Sequence, residues 1–178
     1  CDVFRCAICL NGTCVEHWAF NNVVVGFGAN VGDLMNRRLK PLGPLGYTVG
    51  VVAEVARLTA ELMTISIDGN TTADRITIVS ISNSQFIGGD MHISPSAQVD
   101  DGLLDVLEIK RLGRIELLRA FPLIFSGKHI GHPKIKATQG TICEIETDRP
   151  LPLLIDGDVI GTTPVRVDLI PSAIRVVR

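Results

Sequence analysis

Three of the chain's four Asn-Gly or Asp-Gly pairs stand between strand-like runs, alternating or apolar: Asn11-Gly12, Asp68-Gly69 and Asp156-Gly157. A tight two-residue hairpin needs positive φ at its turn, which glycine adopts freely and Asn or Asp tolerates. Each pair therefore predicts a place where one strand folds back on the next. In the first, residues 3–10 and 13–20 become partners, and a two-residue turn sets the register. Cys9 then lies opposite Cys14, and Cys6 opposite His17.

The same period of two recurs along the chain. Met63, Ile65 and Ile67 alternate with Thr64 and Ser66, and residues 76–81, 103–109, 134–147, 151–155, 165–169 and 174–176 read as further strands. Asn22 to Val25 is an apolar strand running into Gly26 and Gly28, which predicts a sharp turn or a close approach. The Pro- and Gly-rich stretch 41–46 breaks the pattern. Helical spacing of Val49, Val52, Ala53, Ala56 and Ala60 predicts a helix over 47–62. A second helix over 114–125 would bury Ile115, Leu118, Phe121 and Phe125. Residues 83–102 read as a long ordered loop, a frequent place for function. With about nine or ten strands, two helices and no β–α rhythm, the expected fold is mainly β with some α. Its architecture would be an antiparallel β-sandwich with helices at the rim.

At 178 residues the expectation is one domain, and 46% hydrophobic against 20% charged residues is enough to bury a core. The formal net charge of −2 excludes a general nucleic-acid binder, which needs a basic surface. No apolar run is long enough for a membrane-spanning helix. The chain opens on Cys1 without a signal pattern, so it is expected to start inside a longer protein. Four of the five cysteines lie within the first 14 residues. Cys6-x-x-Cys9 has zinc-ligand spacing, with Cys14 or His17 to complete a tetrahedron. On a strand, however, residues 6 and 9 face opposite ways, so buried or free thiols are the default. A Cys9–Cys14 disulfide is geometrically open. The odd count and missing signal instead favour a reduced, cytoplasmic chain.

Three clusters could carry chemistry. Asp100-Asp101-Gly102-Leu103-Leu104-Asp105 groups carboxylates around a turn, as a hard cation would require, or is simply a turn followed by a strand. Asp156 ends a buried apolar strand, where a carboxylate could act as general base toward a hydroxyl, or it is a hairpin residue. Lys128, His129 and His132 could receive a phosphate or lipid headgroup, or the two histidines could touch a metal, although such a run is more often a solvated loop after a helix. His92 reads as a packed histidine of the long loop.

Taken in order, the motifs form a more specific pattern. They are Asn21/Asn22 with Gly26-Phe27-Gly28-Ala29, Ser82-Asn83, Gly88-Gly89-Asp90-Met91-His92-Ile93-Ser94-Pro95-Ser96-Ala97, Asp100-Asp101-Gly102-Leu103-Leu104-Asp105-Val106, Phe125-Ser126-Gly127-Lys128-His129, Asp156-Gly157-Asp158 and Pro171-Ser172-Ala173-Ile174. This series, over nearly the whole chain, resembles the C-terminal domain of the bacterial diacylglycerol kinase-like lipid kinases, relatives of sphingosine and ceramide kinases. The block from Gly88 to Val106 is its specific part.

The resemblance implies a two-domain kinase whose N-terminal domain binds ATP through a Gly-Gly-Asp-Gly-Thr motif that these residues lack. Residues 1–178 would be the β-sandwich domain that holds lipid and closes one side of the cleft, inactive by itself. The reaction implied is transfer of the γ-phosphoryl of ATP to the hydroxyl of a diacylglycerol-like lipid. Asp156 matches the Asp of the family's Asp-Gly-Glu motif, the implied base, with Asp158 where the family has Glu. Asp158 and Lys128 would support it. A sphingosine-kinase branch instead places the base in the nucleotide domain. The implied Mg2+ site uses Asp101 with carbonyls of Gln98 and Leu103. The resemblance is compatible with peripheral contact at the inner membrane surface and with a homodimer. A non-catalytic lipid-binding module, or a kinase of a soluble substrate related to NAD kinase, are the alternatives.

Overall fold

The computed structural model describes residues 1–10, 13–39, 41, 45–88 and 90–175. The Asn11-Gly12 turn, Gly89, residues 42–44 of the breaker stretch and residues 176–178 lie outside the described residues. Among the described residues, eleven strands form one antiparallel, curled sheet: β1 (Val3–Leu10), β2 (Thr13–Ala19), β3 (Asn22–Gly26), β4 (Glu61–Ile67), β5 (Asn70–Ser82), β6 (Leu104–Lys110), β7 (Ile135–Gly140), β8 (Ile142–Thr147), β9 (Pro152–Ile155), β10 (Asp158–Thr162) and β11 (Val165–Ile170). Their order is β10-β9-β3-β5-β4-β8-β11-β1-β2, with β6 and β7 branching from β5. The expected class and sandwich-like architecture are therefore the observed ones. Cys9 pairs with Cys14 and Cys6 with His17, the register that the two-residue turn dictates.

Curling encloses a core in which Phe4, Val23, Met63, Ile81, Ile145 and Val167 are essentially dry. Strand β6 is buried on both faces. Leu104 and Val106 enter that core, whereas Leu107 and Ile109 face a second layer built by the helices. There are three α-helices among the described residues, α1 (Phe27–Leu34), α2 (Leu45–Glu54) and α3 (Arg114–Ala120), one more than the spacing predicts. The unexpected α1 starts directly after Gly26, whose φ of 87° begins it. A Cβ on Gly26 would lie 2.5 Å from the Thr77 carbonyl oxygen, so the glycine permits both the turn and the approach.

Both predicted helices are shorter and turned relative to expectation. The first ends at Glu54, passes through a 3-10 turn (Val55–Arg57), and leaves Val49 and Val52 exposed while Gly46, Gly50 and Val51 face inward. Close packing explains this. A Cβ on Gly46 would collide with Met35 Sδ, and one on Gly50 would meet Val31 at 3.2 Å. The inward face of α2 is chosen by small residues, which a count of large apolar ones overlooks. The second stops at Ala120 and continues as 3-10 turns (Phe121–Ser126), because Pro122 cannot donate to an α-helical ladder. Leu117 and Ala120 are buried there, and Ile115, Leu118 and Phe125 are exposed.

At the N-terminus, Cys9 and Cys14 form a disulfide, contrary to the expected free thiols. The pair is directly opposed on the outward face, and nothing local separates the sulfurs. Cys6 points into the core, where burial pushes its thiol up to about 12, so it shares no metal with Cys9.

Candidate functional site

The hairpin between β9 and β10 carries Asp156 at φ 48°, the left-handed conformation that Asn, Asp and Gly adopt most easily. Its backbone N–H donates to Asn22 O at 3.0 Å. The carboxylate turns toward the segment between β2 and β3 and accepts three backbone N–H groups: Phe20 on Oδ2 at 2.7 Å, Asn21 on Oδ1 at 2.9 Å and Asn22 on Oδ1 at 3.0 Å. A carboxylate offers about four acceptor positions. Oδ1 is doubly engaged, and Oδ2 retains one open position. Asn36, just beyond α1, donates to Gly157 O at 2.5 Å and fixes the tip of the same hairpin.

Asn83 carries this anchoring inward. Its Nδ2 donates to Phe20 O at 3.0 Å and to Asp2 O at 2.9 Å, and its N–H donates to Asn21 O at 2.8 Å. Ser84 Oγ donates to Asn21 Oδ1, and Asn21 Nδ2 to Phe86 O. Asp2 in turn accepts Gly102 N–H at 2.8 Å and Ser172 N–H at 2.7 Å. A continuous set of hydrogen bonds thus links the Asp156 hairpin to the Asp101 turn. Asp2, 3% exposed, is a member that sequence reasoning missed, because nothing around position 2 marks it.

Behind Asp156 lies an apolar cavity of ≈ 220 Å³. Phe27 and Val31 of α1, Val51 of α2, Ile78 of β5, Ile109 of β6 and Leu117 of α3 are among its walls. Asp156, Gly157, Asn21 and Asn22 also line it, so the exposed carboxylate stands where apolar wall meets solvent. His129 forms another part of the wall and is 2% exposed. Its Nε2–H donates to the Ile93 carbonyl at 3.0 Å, and burial lowers its pKa from the usual histidine value, keeping the ring neutral. His92 packs against Phe86 with ring centroids 4.6 Å apart, as a packed histidine should.

The remaining candidates fall elsewhere. The histidine–lysine run does not converge. Lys128 is exposed, His129 is inside, and His132 lies beside Glu116 on the far side of α3. Asp158 is exposed at the start of β10 and does not line the cavity. Asp101 is exposed on its turn, with Oδ1 accepting Leu103 N–H at 3.0 Å. Among the described residues no three His, Cys, Asp or Glu side chains converge. A hard cation at this turn would have the Asp101 carboxylate and carbonyls such as those of Gln98 and Leu103, with water filling the remaining positions. Asp105 is committed, accepting Ser96 Oγ–H at 2.6 Å.

A family model described as the YegS C-terminal NAD kinase beta sandwich-like domain matches residues 21–178. A Mycobacterium tuberculosis protein named diacylglycerol kinase is 31% identical over 166 residues, covering 92% of this chain and 53% of that protein. A Stenotrophomonas maltophilia protein named "Probable lipid kinase YegS-like" is 30% identical, covering 90% and 52%. This chain thus spans about half the length of the curated relatives it matches. A Bacillus anthracis crystal structure superposes with TM-score 0.71 at 23% identity, covering 96% of this chain and 53% of that one. A second from that organism, described as a diacylglycerol kinase, gives 0.60 at 18%, covering 96% and 50%. At those identities the structures attest the fold.

Proposed function

The chain belongs to the family of YegS C-terminal, NAD kinase beta sandwich-like domains, and from that membership we propose that it is the lipid-substrate half of an ATP-dependent lipid kinase. The reaction would transfer the γ-phosphoryl of ATP to the hydroxyl of a diacylglycerol-like lipid. The carrying observation is the position of Asp156, a carboxylate fixed by three backbone N–H groups at the edge of an apolar cavity. Acyl chains belong in such a cavity, since its walls offer dispersion contacts and few polar partners. The hydroxyl belongs at the edge, where the open position on Oδ2 can accept its proton as the oxygen attacks phosphorus.

Phosphoryl transfer needs in-line positioning and neutralised charge more than covalent help. Mg-ATP would supply the phosphoryl group, held chiefly by protein outside these 178 residues, so this chain by itself should not phosphorylate lipid. Its own task would be to hold the acyl chains, orient the alcohol and accept one proton. A magnesium ion at the Asp101 turn would brace the loop that Asp2 already holds from inside. Names of the relatives support the kinase reading, and the cavity walls favour a lipid over a polar substrate.

The decisive variant is Asp156→Asn in the intact protein. It keeps the side-chain shape and an acceptor for Asn21 and Asn22 but cannot take a proton. Turnover should fall about 10²- to 10⁴-fold with the fold retained. Unchanged turnover would reduce Asp156 to a hairpin brace and overturn its role as base.

A further inference from the structure

On the outer side of the helical layer that covers the cavity, residues 58–60 and α3 frame an open groove. Arg75, Arg111, Arg114 and Arg119 line it, and none of the four has an acidic partner within ion-pair distance among the described residues. The groove's own acid, Glu116, is taken by Lys134 at 2.7 Å and His132 at 3.5 Å. Asp74 is paired with Lys110, and Glu61 is held by Arg149 with a lesser pull from Arg75. Positive charge therefore dominates locally in a chain whose formal net charge is −2.

Large aliphatic side chains stand in the same place. Ile115 is 67% exposed and Leu123 40% exposed in the groove, and Leu118 is 41% exposed on the outer face of α3. A partner must accept arginines and unpaired aliphatic side chains together. A nucleic-acid backbone satisfies only the first. The interface of an anionic bilayer satisfies both, with phosphates at the surface and hydrocarbon a few ångströms below. Leu112 and Ala120 line the groove and the cavity alike, so one layer of side chains separates this face from the proposed lipid site.

We propose that this arginine groove and the outer face of α3 are the surface by which the protein docks on an anionic membrane. The proposal rests on the reading of the cavity as a lipid site and adds where the bilayer lies. Arg111 and Arg119 would sit among lipid phosphates, and Ile115 and Leu118 would enter the interface.

The test is co-sedimentation of the intact protein with vesicles of phosphatidylcholine alone or mixed equally with phosphatidylglycerol. Wild type should bind the mixed vesicles at low salt, bind the neutral ones weakly, and be released by roughly 0.5 M NaCl. The double variant Arg111→Gln/Arg119→Gln should bind the mixed vesicles about 25-fold more weakly, from roughly fivefold per charge. Ile115→Ser should also weaken binding while leaving the salt dependence intact. Neither variant touches the cavity, so phosphorylation of a short-chain, water-soluble diacylglycerol should stay at the wild-type rate. Equal binding of wild type and double variant overturns the proposal, as does failure of wild type to bind, or a matching loss on the soluble substrate. Salt-dependent binding lost in the double variant, by a wild type that phosphorylates no lipid, supports this surface and overturns the kinase reading instead.

Discussion

Asn83 is the strut whose removal should be felt most clearly. It is 2% exposed, and its single amide group donates to Phe20 O and Asp2 O, tying the Asp156 anchor to the Asp101 turn. Asn83→Ala leaves two carbonyls without these donors. Each buried group left so costs about 1–3 kcal/mol, and Phe20 O is near enough to solvent to recover part of its share. The expected loss is therefore about 3 kcal/mol, which for a chain this size lowers Tm by roughly 6–12 °C. Volume contributes to that figure, so Asn83→Asp is the sharper variant. It is nearly isosteric, but it turns a donor into an acceptor against two carbonyls and brings a charge into a dry site. Its loss should equal or exceed that of the alanine variant. Thermal and urea unfolding of both, followed by circular dichroism, measures this. An aspartate variant within about 0.5 kcal/mol of wild type would refute the claim that these bonds hold the site together.

Cysteine chemistry and pH give two further checks. Iodoacetamide should label only Cys1 in the native, unreduced chain, and should reach Cys9 and Cys14 after mild reduction. Cys6 and Cys143, buried and each pushed up to about 12, should react only on unfolding. Labelling mapped by mass spectrometry decides it, and native modification of Cys6 would contradict its core position. Because burial lowers the His129 pKa below the ordinary histidine value of about 6.5, the unfolded chain binds that proton more readily. Stability from this group is present above that value and is lost as pH falls toward the folded pKa. Urea midpoints should fall between about pH 7.5 and 5.5, and the fall should shrink in His129→Phe.

How much the sequence reveals varies with the range of the interaction. The Cys6–His17 and Cys9–Cys14 pairings follow from one two-residue turn, and Asp68 and Asp156 occupy the left-handed positions that their Asp-Gly pairs require. Periodicity found most of the strands, but it passed over β10, read a strand from 174 where Ile174 and Arg175 belong to none, and mistook the faces of α2 and α3. Glycines at 46 and 50 select the inward side of α2, and Pro122 cuts α3 short. The helix α1 follows from Gly26 turning the chain beside Thr77, an encounter between residues 51 positions apart.

By itself, the sequence determined the alternating strands, the turns, the hairpin registers and the residue series that marks the family, because each is written in contacts between near neighbours. Tertiary structure decided which helix faces are buried and that four arginines line one groove. It also brought Asp156 to amides 134–136 residues away, with a cavity behind it. Those outcomes depend on how a sheet curls and how closely helices lie on it. That is a summed packing balance among distant side chains, and no local pattern contains it.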